Sequence, residues 1–206
     1  MKNYHHGNLK EELISCACAM CERDGYTKLS IRSLAKESNV SQTAPYRHFK
    51  TKEDLYAAVS TDGFNKLSKA IHVDVDKKVT KKQIVDMASK YIKFGIKNAN
   101  TYDLMFGTAV GNFSNYPELL ESANSSYENF RSSFSKLAND NDEVIAFKCI
   151  TLWSMVHGLV GILRKVQVIA NEPLMDADDG PMSSAFLIAS NLEDHLDKVV
   201  SGIIEN

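Results

Sequence analysis

Breakers are scarce in this chain: four prolines and ten glycines in 206 residues. That is too few to divide it into the short strands and turns of a sandwich or barrel. Strict apolar–polar alternation is missing as well, which leaves helical periodicity as the dominant signal. No uninterrupted run of eighteen apolar residues occurs, so no membrane-spanning segment is expected. The opening MKNYHHGNLKEELI lacks the apolar centre of a secretory leader, and a cytoplasmic protein is expected. Excess charge is also missing. The net charge of −2 argues against a uniformly basic coat for nucleic acid. Its distribution is uneven: residues 1–60 hold nine Lys/Arg against seven Asp/Glu, and the remainder holds fifteen against nineteen. The N-terminal quarter is thus mildly cationic. Cysteine is limited to Cys16, Cys18, Cys21 and Cys149. No matching Cys/His pair follows the first three, so small buried thiols are expected, with no metal and no cofactor.

The chain reads as helices from end to end. Asn8 and Glu11 can form a capping box for a first helix, with Leu9, Leu13, Ala17, Met20 and Cys21 on its apolar face and Gly25 as its stop. Ser30 caps a second, short helix to about Ser38 that buries Ile31, Leu34 and Ala35. Asn39 then falls where a turn needs a residue tolerant of positive φ. A third helix, capped by Ser41 or Thr43, is expected to end near Phe49; Pro45 removes a donor there and is tolerable in the first turn if the helix starts at Thr43. Thr51 with Asp54 caps a fourth that carries Leu55, Val59, Leu67 and Ile71. Gly63 weakens that fourth helix by about 1 kcal/mol relative to alanine unless packing requires it.

Beyond Asp76, Ile84, Met87, Ala88, Tyr91 and Gly95 recur at three-and-four spacing. A short helix ends at Gly107, and Pro117 suits the first turn of the next. That helix carries a stripe of Leu120, Ala123, Tyr127, Phe130, Phe134 and Leu137. Residues 142–170 are apolar on nearly every side and must therefore be covered on every side. After the loop NEPLMDADDGPMS, one last helix from Ser184 to about Ile203 is expected.

Helix two, a three-residue turn and helix three have helix-turn-helix proportions. Gln42, Thr43 and Ala44 then lie at the end of helix three that meets base edges: glutamine pairs with adenine, and threonine or alanine methyls meet a thymine methyl. Tyr46, Arg47 and His48 reach phosphate oxygens, Lys50 and Lys52 follow at the next helix start, and Arg32 on helix two joins the DNA-binding set. The N-terminal pole of the fourth helix adds its own attraction for an anion.

In Lys28–Leu55, KLSIRSLAKESNVSQTAPYRHFKTKEDL, the chain resembles the DNA-binding signature of TetR-type transcriptional regulators. Ala44 stands where that family often has glycine. YHHGNL near the start and TLWSMVHGLVGIL at 151–163 are similar to a subgroup named for a Trp-His-Gly signature, here Trp153, His157 and Gly158. The resemblance implies an all-α protein. Residues 1–68 would form a three-helix DNA-binding domain, and 69–206 a helical domain for effector binding and dimerisation. It also implies a homodimer on a palindromic double-stranded operator, most often a repressor, released by a small effector.

Tyr91, Phe94, Met105, Phe106, Tyr127, Phe130, Trp153 and His157 are the candidate walls of an effector pocket. They include no obvious cation, which favours an apolar or aromatic effector. Gly158 and Gly161, one turn apart, with Ile188, Leu192, Leu196 and Val199, are the candidate dimer contacts. Two rival classes compete with this reading. An enzyme would have to use Cys149 and His157, which two helical turns hold about 12 Å apart, beyond hydrogen-bond reach. A protein-binding helical bundle without DNA binding would leave the Tyr46–Arg47–His48 cluster without a use.

Overall fold

A computed structural model describes residues 9–138, 140–170 and 181–205. Asn8 and the YHHGN stretch, with residues 171–180 of the expected loop, lie outside the described residues. Those described are helical, with no strand among them. The helices are α1 (Leu9–Asp24), α2 (Ile31–Glu37), α3 (Lys52–Ile71), α4 (Lys81–Lys97), α5 (Ala99–Phe106), α6 (Pro117–Leu137), α7 (Asp142–Ile169), α8 (Pro181–Ser190) and α9 (Leu192–Glu205). They fall into two compact units. One comprises the chain up to Lys66 together with Asn98–Ser125; the other comprises Leu67–Lys97 and the chain from Ser126 on.

In the first unit local chemistry sets the helix ends. Gly25, at φ 83°, stops α1. Ser30 accepts from the Ser33 N–H at 3.0 Å while the Ser33 hydroxyl accepts from the Ser30 N–H at 2.9 Å, a reciprocal cap on α2. Asn39 takes the expected left-handed turn at φ 53°. Thr51 Oγ1 accepts from the Asp54 N–H, and the Asp54 carboxylate accepts from the N–H groups of Thr51 and Lys50, each at 2.9 Å. Leu13, Ala17, Leu34, Ala35, Leu55 and Val59 form the core between these helices, all fully buried. Glu22 near the end of α1 caps α5, accepting from the N–H groups of Asn100 and Thr101 and from the Thr101 hydroxyl at 2.9 Å. Gly63 is where α3 meets α5: a Cβ there would lie 2.5 Å from Met105 Sδ and 3.0 Å from Thr101 Cγ2.

In the second unit α4 lies against α7 and α9, burying Ile84, Met87, Ala88, Tyr91, Ile92 and Phe94. The last helix differs from the expectation. It is two helices, α8 and α9, separated at Asn191. The Asn191 side-chain amide donates to Leu187 O at 3.2 Å, the carbonyl a continuous helix would offer to the backbone N–H of that residue, and the Asn191 N–H goes to Ile188 O instead. Local side-chain competition of this kind breaks helices at asparagine.

Two other helices also depart from their sequence patterns. On α6 the buried residues include Leu119, Ser122, Ser126 and Ser133 beside Phe134, a serine face offset from the predicted stripe. Ser122 and Ser133 satisfy their hydroxyls by donating to Leu119 O and Asn129 O in their own helix. The 28-residue α7 contains an eighteen-residue window apolar enough, by length and composition, to cross a membrane. Counting only unbroken apolar runs misses it. Within the chain α7 buries one face, from Ile145 through Cys149, Leu152, Val156 and Val160 to Val166, and leaves Phe147 69% and Val168 65% exposed on another.

Candidate nucleic-acid interface

The segment expected to form the third helix is not an α-helix. Residues 41–44 make a turn, closed by Ala44 N–H to Ser41 O at 3.0 Å, and Pro45–Arg47 is a single 3-10 turn. Pro45 is the physical reason. It has no N–H to give to Ser41 O, so the ladder is cut one turn in and the chain closes three-residue steps instead. Pro45 and Phe49 are buried and anchor this segment, whereas Ser41, Gln42, Thr43, Tyr46, Arg47 and His48 are exposed. Tyr46 is 47% exposed, much for so large a ring. The two buried anchors thus present a mixed hydroxyl, amide, phenol, guanidinium and imidazole surface. Ala44 is half-buried between the two groups, and Arg32 is exposed on the first turn of α2.

Lys50 and Lys52 are exposed at the start of α3, and the Asp54 carboxylate sets a negative charge beside the pole of that helix. Asp54 occupies the N–H groups of Lys50 and Thr51. Lys52 is tied back as well: its ammonium donates to Thr27 O at 3.1 Å and lies 5.1 Å from the Tyr56 ring centre. Sequence reasoning missed Tyr56. Its only sequence signal is its position four residues after Lys52, on the same helix face.

The expected effector residues separate. Tyr91, Tyr127, Phe130, Trp153 and His157 come together in the second unit. Trp153 Nε1 donates to the Tyr91 hydroxyl at 3.1 Å, and that hydroxyl is 3.3 Å from His157 Nδ1. Tyr127 meets the Trp153 ring edge to face at 6.4 Å and lies 6.5 Å from Phe130. Burial lowers the His157 imidazole below its usual range, which favours a neutral ring whose Nδ1 accepts from Tyr91. Phe94 is buried in the same unit. Met105 and Phe106 belong to the first unit, where Met105 is fully buried beside Gly63 and Phe106 packs on Phe64 and Tyr102 at 5.4 and 4.7 Å.

Among the expected dimer contacts, Gly158 and Gly161 are exposed on α7, and a Cβ at either would meet nothing within 4 Å. Ile188, Leu192 and Val199 are half-buried. Leu196 is a correction: it is fully buried in its own chain, because α9 turns that position inward, and is core rather than open surface.

The cysteines are free thiols. Burial raises Cys18 far above the usual thiol range, with the Asp62 carboxylate beside it adding to the shift. Burial also pushes Cys21 and Cys149 up to about 11. These thiols stay protonated at neutral pH, which suits packing rather than chemistry.

The N-terminal surface lies within a stretch that is similar to known proteins. Residues 13–59 match the family model of bacterial regulatory proteins, tetR family. That match makes this end of the chain similar to the N-terminal region of bacterial regulatory proteins of the tetR family. No curated protein matches the sequence. Solved structures share the fold over nearly the whole chain. A protein of unknown function from Rhodococcus sp. RHA1 is 20% identical, with TM-score 0.70 over 96% of this chain and 98% of its own. The TetR family transcriptional regulator PfmR from Thermus thermophilus is 18% identical, with TM-score 0.55 over 94% and 97%. The multidrug binding protein EbrR, solved in complex with imidazole, is 17% identical, with TM-score 0.57 over 97% and 92%.

Proposed function

We propose that this chain is one subunit of a cytoplasmic, homodimeric transcriptional repressor that binds a palindromic operator and is released by a small apolar or aromatic effector. The observation that carries the reading is the exposed Gln42–Thr43 and Tyr46–Arg47–His48 surface, held out by the buried Pro45 and Phe49 inside a tetR-family N-terminal domain. In this reading Gln42, Thr43 and Ala44 read bases, while Arg32, Tyr46, Arg47, His48 and Lys50 hold phosphates. The dimer forms through the open apolar side of α7 and through α8, where Phe147, Ile162, Val168 and Leu187 are exposed and Gly158 and Gly161 let a second helix approach closely. The Tyr91–Trp153–His157 cluster, with Tyr127 and Phe130, forms the wall against which the effector sits, and the similarity of Trp153, His157 and Gly158 to a Trp-His-Gly signature supports membership of that subgroup. That EbrR is a multidrug binding protein supports a ligand-responsive second unit.

Selection of the full-length chain against random duplex DNA tests this, with sedimentation of the free protein alongside. The expected result is an enriched palindrome with half-sites about one helical turn, or a multiple of it, apart, and a species of twice the chain mass. If selection enriches nothing, the protein-binding bundle becomes the better reading.

A further inference from the structure

Lys52 stands where a phosphate contact was expected, but its surroundings point to another use. It opens α3, and its ammonium is held on the Thr27 carbonyl at 3.1 Å and above the Tyr56 ring at 5.1 Å. One turn further along α3, the Tyr56 hydroxyl donates to the Tyr26 carbonyl at 2.7 Å. The Tyr56 ring also meets Tyr26 edge to face, with centres 5.7 Å apart. Two successive carbonyls of the 26–28 turn are therefore gripped by two side chains four residues apart on one face of α3. That turn joins α1 to α2, and α2 leads directly into the exposed 41–49 segment. The carbonyl and the ring hold the ammonium against the turn, so a phosphate would have to share it or draw it away from both.

We propose that Lys52 is a positioning residue and not a phosphate contact: with Tyr56 it clamps the turn between α1 and α2, and so fixes how the 41–49 segment is presented to DNA. This rests on the DNA-binding reading above. Salt dependence separates the two roles, because each phosphate contact contributes about 0.9 to the slope of log affinity against log salt. With the selected duplex, Lys52→Met is expected to keep the wild-type slope while weakening binding roughly three- to fivefold at every salt concentration. Tyr56→Phe, which removes only the hydroxyl, should weaken binding in the same way, and the losses in the double variant should fall short of their product. Lys52→Arg, which keeps a cation over the ring, should restore affinity. Arg47→Ala should instead lower the slope by about 1.

A Lys52→Met slope lower by about 0.9, or fully multiplicative losses, would overturn the clamp. Failure of the wild type to bind any duplex would sink the DNA reading itself. Amide hydrogen exchange of the free protein would still decide the clamp in that case. Exchange at Leu29, whose N–H bonds to Tyr26 O, should speed up in Lys52→Met and Tyr56→Phe. Unchanged exchange there would show that no clamp exists.

Discussion

Replacing Gly63 by valine is expected to destabilise the first unit by about 3 kcal/mol, through overpacking. Alanine would already gain about 1 kcal/mol of helix propensity over glycine, yet its Cβ would come within 2.5 Å of Met105 Sδ and 3.0 Å of both Met105 Cγ and Thr101 Cγ2. Neither neighbour yields without cost. Met105 is 1% exposed, and the Thr101 hydroxyl is committed to Glu22 Oε2 at 2.9 Å, so rotating its methyl away breaks one of the three hydrogen bonds by which Glu22 caps α5. Valine adds two further methyl groups at this point. For a chain of this size the loss corresponds to a fall of roughly 6–12 °C in the first thermal transition. Calorimetry checks it. A Gly63→Val/Met105→Ala double variant should lose less than the sum of the single losses, because the truncated methionine leaves the space that valine needs. An unaltered transition in Gly63→Val would mean that α3 and α5 do not pack as described.

Lys148 should be the most costly cation to remove. It is 5% exposed, and its ammonium donates to Asp140 Oδ2 at 2.9 Å and to Ile204 O at 3.1 Å. It therefore fastens the end of α9 to α7. Removing one partner of a fully buried pair costs about 3–5 kcal/mol, but the Asp140 side chain is 33% exposed, and water can take over part of the lost interaction. Lys148→Ala, which also removes the buried stem, is accordingly expected to lose about 3 kcal/mol. Lys148→Met keeps most of the stem and should lose about 1–2 kcal/mol, mainly through Ile204 O left without its donor. Denaturant midpoints at constant slope measure both. Equal losses in the two variants would mean that the charge carries the effect, whereas a neutral Lys148→Ala would remove the fastening altogether.

What can be read from the sequence is local. Ser30, Asn39, Thr51 with Asp54, and Pro117 each act on their own few residues, and each marks its helix end as expected. The failures are of two kinds. Pro45 and Asn191 are also local: Pro45 stands out as awkward for a helix, but helix-turn-helix proportions outweigh it, and apolar periodicity masks Asn191. A recognition helix is then expected through a proline, and one long helix through an asparagine that breaks it. The serine face of α6 and the Glu22 cap on α5 are different. They arise from partners or packing that no spacing reveals: Glu22 and Thr101 are 79 positions apart. The candidate DNA-facing residues are legible because they cluster within a few positions. The hold on Lys52 is hidden in the sequence because its carbonyl partner, Thr27, lies 25 positions away.

The gripping of DNA by the 41–49 surface is the central claim, and one titration tests it most directly. Affinity for the selected duplex is measured across a salt series for the wild type and for Tyr46→Ala/Arg47→Ala. The account predicts tight wild-type binding that falls steeply with salt and is lost in the double variant. Neither side chain belongs to the core, so that variant should unfold as the wild type does. Binding by the variant at wild-type affinity and slope would contradict the account and place the DNA contact on some other surface.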